Sequence, residues 1–363
     1  MKLIKSIINY FFLGVKTIAS SKIAVLIIFC LGVYFINSTK CYKEELESEL
    51  EKYENDMLVE KIDTTATAYF SDNNLDTSNL KNIAATNLIS CINQRLDLNS
   101  LDDDTRKIIK ELNNLYNNDD RHFSFLYKDI YTGFTVSYNE KGSIFTASTI
   151  KAPAMIYLYE MASENKIDLN EKLTYTKNFY SDGSGRLKNM EVNTKHKVSD
   201  LIKYTIYDSD NIAYKMLMNR YGRKKIYNFW ADKGTTRIFK QDTVWGKTSA
   251  RDASIYMQEL YDFYLENDTY GEELMKLFKN AGWKQISNKD GVYNTANKGG
   301  WSYKTFHDAA IVFEENPYIL VIFSNSGESD YDYLFKTTSK LVGEIHEKYW
   351  EQKINQCNSI KQY

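Results

Sequence analysis

Ser148-Thr149-Ile150-Lys151, Ser209-Asp210-Asn211 and Lys298-Gly299-Gly300 follow one another along the chain, and their residue types are those acyl transfer needs. A serine hydroxyl is a poor nucleophile near neutral pH and requires a neighbouring base. Lys151 stands three residues beyond Ser148, so on one helix the two share a face one turn apart. The second cluster adds a hydroxyl, a carboxylate and an amide. The third adds a cation beside two glycines, where a strand can come close to a ligand. Together they supply nucleophile, base, proton relay, anion anchor and backbone oxyanion donors.

The first pattern alone is weak, because Ser78-Asn79-Leu80-Lys81 and Ser163-Glu164-Asn165-Lys166 also read S-x-x-K. Context singles out Ser148. It follows two strand-like runs, Phe123–Lys128 and Gly133–Tyr138, and opens an apolar stretch, Ile150 to Met161, suited to a buried helix. Pro153 lies near the start of that stretch, where proline is tolerated. The second motif falls between the helix-like segments Leu201–Tyr207 and Ile212–Leu217. The third precedes two strand-like runs, Ala309–Phe313 and Tyr318–Phe323, split by the turn signal Asn316-Pro317.

This ordered set resembles the penicillin-recognising serine enzymes, and within them the class A β-lactamase-like group. Ala147-Ser148-Thr149-Ile150-Lys151 resembles the nucleophile segment, and Gly183-Ser184-Gly185-Arg186-Leu187 a loop preceding the S-D-N helix pair. Val198-Ser199-Asp200-Leu201-Ile202 leading into Tyr207 to Ala213 is similar as well. So is Lys298-Gly299-Gly300-Trp301 followed by His307-Asp308-Ala309-Ala310-Ile311-Val312. The likeness covers roughly residues 100–350.

The implied roles each have a plainer rival. Ser148 would be the nucleophile, or a helix-capping serine. Lys151 would be the base, although an exposed lysine titrates near ~10.4 and sits on many helix surfaces. Burial, or the nearby Lys298, would favour its neutral form. Ser209 would relay a proton to the leaving nitrogen, or cap a loop. Asn211 would hold the substrate amide and Lys151, or be a turn residue. Asp210 would brace the loop, and Lys298 would attract a substrate carboxylate. The N–H groups of Ser148 and Trp301 would form the oxyanion hole, the second by resemblance alone.

Two departures stand out. Gly299 occupies the place of the family's threonine or serine, so one hydroxyl that helps hold a substrate carboxylate is missing. No E-x-x-L-N, the family's source of the deacylating glutamate, occurs between Asn211 and Lys298. The stretch Ala231 to Thr248 is short for that loop, and its acids are Asp232 and Asp242, of which Asp242 could substitute. Acylation is therefore expected, and efficient β-lactam hydrolysis is not.

The chain of 363 residues is 43% hydrophobic, enough for a substantial core, and its net charge of −2 points to no nucleic-acid partner. Lys2, Lys5, Lys16 and Lys22 precede the apolar run Ile23–Ile36, which orients the N-terminus to the cytoplasm. Residues 1–22 read as a cytoplasmic segment and 23–37 as a signal anchor, with a cleaved signal peptide the rival reading. Asn37-Ser38-Thr39-Lys40 is a poor cleavage site. Residues 41–100 read as a charged helical stalk and spacer, with a small interaction module as the alternative. The catalytic domain is expected over 101–352, extracytoplasmic on a single-pass anchor in the cell membrane.

Cys30, Cys41, Cys91 and Cys357 show no metal or redox spacing and read as buried or incidental. His122, His196, His307 and His346 show no ligand spacing either, so no metal and no cofactor is expected. His307-Asp308 suggests a Ser-His-Asp set, but His307 better fits a loop end at the start of a strand.

Residues 101–118, Asp200 to Tyr221, Ser249 to Glu266 and Tyr331 to Gln352 have helical character, with Ser199 and Thr248 or Ser249 as candidate caps. Strands come early and late with helices between. The fold class is α/β, an α+β sandwich in the β-lactamase/transpeptidase manner, with an antiparallel sheet flanked by helices. A helical lobe from roughly Glu164 to Ile286 would face the sheet across the site. The expected activity is a serine hydrolase acting on β-lactams or D-Ala-D-Ala-type stem peptides. A β-lactam or wall-fragment sensor without efficient turnover is the alternative.

Overall fold

The computed structural model describes residues 91, 95–117, 123–236, 244–267, 269–303, 305–325 and 331–359. The expected cytoplasmic segment, anchor and most of the stalk lie outside them, as does Asp242. Among the described residues no helix is long and apolar enough to cross a membrane. The chain forms two compact units, one over residues 96–350 and one that holds residues up to 95 and from 351 onward.

In the larger unit, helix α1 (Asp103–Asn117) leads into β1 (Phe123–Asp129), β2 (Thr135–Tyr138) and the short β3 (Ile144–Phe145). Helix α2 (Lys151–Ser163) follows, then the ladder of β4 (Lys172–Thr174) with β5 (Lys195–Lys197). Helices α3 (Val198–Tyr207), α4 (Asn211–Tyr221) and α5 (Arg223–Asp232) come next. After β6 (Lys247–Thr248) come α6 (Ala250–Glu266) and α7 (Tyr270–Lys279). Strands β7 (Thr295–Asn297), β8 (Gly300–Ser302), β9 (Thr305–Val312) and β10 (Tyr318–Ser324) follow, and then α8 (Tyr331–Ser359), whose residues from 351 onward belong to the other unit.

The sheet runs β2-β1-β10-β9-β7, antiparallel throughout, with β8 paired to the other end of β9. Every residue of β9 and β10 is buried, as expected of strands covered on both faces. Leu126, Val321 and Ala309 share the face that joins the main core with α2 and α6. Phe125 and Tyr127 point the other way. Tyr116 of α1 lies 4.5 Å from the Phe125 ring, and Tyr127 Oη is 2.9 Å from His346 Nδ1 of α8. The sheet thus sits between two helical layers, as the strand and helix order predicts.

Two sequence expectations are corrected, and one of the candidate caps is found in place. Ser199 lies inside α3, whose N-cap is the extended Lys197, because the chain leaves the β4–β5 ladder directly into the helix. Ser249 does cap α6, accepting from Asp252 N at 3.1 Å. Cys91 and Cys357 are neither incidental nor free, since they form a disulfide across a separation of 266 residues. Spacing could not reveal a pair that only the fold brings together.

Candidate active site

Ser148 lies on a 3-10 turn, Ala147–Ile150, that runs straight into α2. In a 3-10 turn residues i and i+3 eclipse, so Lys151 stands over Ser148. Its Nζ is 3.0 Å from Ser148 Oγ. Ala147 enters the turn with a φ of 43°, a left-handed conformation that costs a non-glycine residue roughly 1–2 kcal/mol. Its surroundings hold it there. Thr146 N donates to Gly246 O at 3.1 Å, and His307 Nε2 lies 2.8 Å from Phe145 O.

His307 is therefore a brace inside β9 rather than a loop end. Its Nδ1 lies 2.8 Å from Phe306 O and 3.2 Å from Ser324 N, so both ring nitrogens are engaged by backbone. Burial pushes its pKa down to about 4, so the ring is neutral. Asp308 accepts from Asn297 Nδ2, Gln285 N and Ile286 N, and burial raises its pKa to about 6. The two neighbours serve separate contacts and form no relay to Ser148.

The second motif is the break between α3 and α4. Ser209 adopts a φ of 52°, and Asp210 caps α4 by accepting from Ile212 N and Ala213 N, each at 2.9 Å. The other oxygen of Asp210 accepts from Leu187 N at 2.8 Å. Gly185, with a φ of 119°, makes room for this carboxylate: a β-carbon there would lie 2.3 Å from Asp210 Cγ. Asn211 Nδ2 donates to Asp182 O at 3.0 Å, which turns its Oδ1 towards Lys151 at 2.8 Å. The glycine loop thus sets the orientation of the Asn211 amide.

Lys151 is wholly buried. Its Nζ approaches Ser209 O at 2.5 Å and Ser209 Oγ at 3.1 Å, besides Ser148 and Asn211. Burial first, and then the cation of Lys298, hold its pKa well below the usual lysine range, against the pull of Asp210. A neutral amine has two N–H bonds and one lone pair. Ser209 O and Asn211 Oδ1 accept only, so they take the two hydrogens. The lone pair is left for the proton of Ser148, which is the arrangement of a general base.

The third motif bridges β7 and β8 on the edge of β9, where Lys298 N donates to Ala309 O at 3.0 Å. Lys298 Nζ donates to Gly299 O at 2.8 Å and Ser209 Oγ at 3.1 Å. Burial lowers its pKa to about 8, with Asp308 opposing. Gly300 runs against the nucleophile turn: a β-carbon there would meet Ser148 N at 2.6 Å. Trp301 follows at 59% exposure, on the open side. Gly299 has its own explanation. A β-carbon on it would lie 1.8 Å from Cε3 of Trp283, so the indole occupies the space a threonine would need.

The structure therefore brings Ser148, Lys151, Ser209, Asn211 and Lys298 into one hydrogen-bonded cluster, with Gly299, Gly300 and Trp301 along its edge. Ser163 lies at the far end of α2 and caps back to Glu160 O. Sequence reading missed Trp245, whose ring centroid is 5.1 Å from Lys151 Nζ, and Trp283. Neither carries a motif or a period that could mark it.

Residues 107–349 match the beta-lactamase enzyme family. A mutant of PBP-A, solved as its acyl-enzyme complex with penicillin G, superposes with a TM-score of 0.61 at 18% identity, over 67% of this chain and 97% of that one. A β-lactamase from Sphaerobacter thermophilus gives 0.55 at 16% identity, over 67% and 94% of the two chains. An ancestral class A β-lactamase gives 0.56 at 16%, over 65% and 99%. These likenesses establish the shared fold, and the match over residues 107–349 places the chain in the beta-lactamase enzyme family.

Proposed function

We propose that this protein forms an acyl-enzyme on Ser148 with β-lactams or D-Ala-D-Ala-type peptides and releases the acyl group slowly. The observation that carries the reading is the 3.0 Å approach of a buried, deprotonation-prone Lys151 to Ser148 Oγ. Lys151 takes the Ser148 proton as Oγ attacks the carbonyl. The backbone N–H groups of Ser148 and Trp301 receive the oxyanion. Ser209 passes a proton to the leaving nitrogen, while Lys298 steadies Ser209 and offers charge to a substrate anion. Slow release is supported by the lack of an E-x-x-L-N between Asn211 and Lys298.

The N-terminal lysine asymmetry supports an anchor at 23–37 with the domain outside the cell. The Cys91–Cys357 disulfide supports an oxidising compartment too. The full-length protein, incubated with a fluorescent penicillin and then chased, should label on Ser148 and hold the label. Ser148→Ala should abolish labelling, since losing a nucleophile typically removes on the order of a million-fold in rate. Labelling that survives this change, or a rapid chase, would refute the reading. Protease added to intact cells should digest the domain, and its full protection would refute the orientation.

A further inference from the structure

One side of Lys151 is walled by aromatic rings. Trp245 and Tyr214 lie 5.5 Å apart at 32°, with centroids 5.1 and 5.9 Å from Lys151 Nζ. The backbone on either side of Trp245 is tied down. Tyr214 Oη donates to Val244 O at 3.1 Å. Gly246 O accepts from Thr146 N at 3.1 Å and from Thr146 Oγ1 at 3.2 Å, two residues before the nucleophile. The indole is thereby fixed relative to Ser148 by bonds on both flanks.

The amine it faces changes charge during acylation. An aromatic face attracts an ammonium and is nearly indifferent to a neutral amine. The ring therefore favours the state reached after Ser148 has given up its proton, an interaction stronger late in the step than at its start. The same bulk keeps water away from the resting amine. It also takes up room beside Lys151 that a water polarised by the amine could otherwise occupy.

Resting on the acyl-enzyme reading above, we propose that Trp245 is a positioning residue that speeds acylation of Ser148 and holds back its hydrolysis. In acylation the Ser148 Oγ–H proton passes to Lys151, the Oγ–C bond forms, and the C–N bond breaks with a proton delivered through Ser209. In hydrolysis a water oxygen bonds the same carbon, the Oγ–C bond breaks, and Oγ recovers a proton. Trp245 assists the first sequence and obstructs the water of the second.

Three variants of the full-length protein test this with the fluorescent penicillin: Trp245→Phe, Trp245→Leu and Trp245→Ala. Leucine keeps the site dry and lacks the ring, so acylation should slow by about three- to thirtyfold, with phenylalanine in between. Alanine opens the wall, so label should leave about tenfold faster or more. Wild-type rates of labelling and release in folded leucine and alanine variants would overturn the proposal. NMR titration of Lys151 gives a readout independent of turnover. Lys298 and Asp210 are the charged groups facing Lys151 and stay unchanged in all three variants. Leucine should lower the pH at which Lys151 titrates by about half to one unit, and alanine should raise it. A titration that ignores both changes would sink the proposal. An unlabelled wild type would instead sink the acyl-enzyme reading, with the titration still deciding the part of Trp245.

Discussion

Lys151 and Lys298 meet on one atom, Ser209 Oγ, each with its Nζ 3.1 Å away. Two buried amines this close cannot both carry charge cheaply, and Lys298 pushes Lys151 towards its neutral form. The acylation rate should rise with pH as Lys151 loses its proton. It should fall as Lys298 loses its own near pH 8. Lys298→Met should move the rising limb to higher pH and remove the falling one. Stopped-flow acylation across pH 5–10 reads both.

The same burial makes a stability prediction. Lys298 titrates at about 8 when folded, below its ordinary 10.5. Between those values the unfolded chain binds more protons, so stability should rise with pH across that window. At neutral pH the penalty is on the order of 3 kcal/mol, so Lys298→Met should unfold at higher denaturant than wild type while acylating poorly.

Gly299→Thr tests the indole that stands in the threonine's place. The variant should lose about 1–3 kcal/mol of stability, because the ring must move or the strand must shift. Trp283→Ala in the same chain should recover much of that loss, which a double-mutant cycle by urea unfolding measures. Additive losses would show that the two residues do not compete for the space.

Asp210→Ala removes a helix cap and the tie to Leu187 together. A loss of about 2–4 kcal/mol is expected, along with slower acylation, since Ser209 and Asn211 flank the lost carboxylate. Asp210→Asn, which keeps one acceptor, should fall between. Equal acylation in all three proteins would separate the brace from the chemistry.

His307 and Asp308 should respond oppositely to acid. His307 titrates at about 4, below its ordinary 6.5, so stability from this group falls as pH drops between those values. Asp308 titrates at about 6, above its ordinary 3.8, so its burial becomes easier over the same range. His307→Gln should therefore flatten the acid loss of stability, by about 3 kcal/mol at most, in unfolding curves at pH 4.5 and 7. A steeper acid loss in that variant would contradict the assignment.

The sequence shows the parts of the cluster whose geometry is local. Ser148 and Lys151 are one turn apart whichever helix type forms. The strand-like run Phe123–Lys128 becomes β1, and the apolar run after Ile150 becomes the buried α2. What is hidden depends on distant chain. Trp245 reaches Lys151, and Trp283 reaches Gly299, only after the sheet and helices close, and a lone tryptophan in a loop has no period to betray it. The two-residue strands β3 and β6 are too short for alternation, yet their pairing leads directly into the nucleophile turn.

The bond between Cys91 and Cys357 makes a closed ring of the chain between them. A single protease cut anywhere in that ring leaves one covalent molecule, with the segment preceding Cys91 still joined to both pieces. A single cut within the ring therefore cannot shed the Ser148 cluster from whatever holds the N-terminus. Release needs a cut before Cys91, or a ring cut followed by reduction of the bond, and non-reducing and reducing gels of ring-cut protein should show the difference as one band against two.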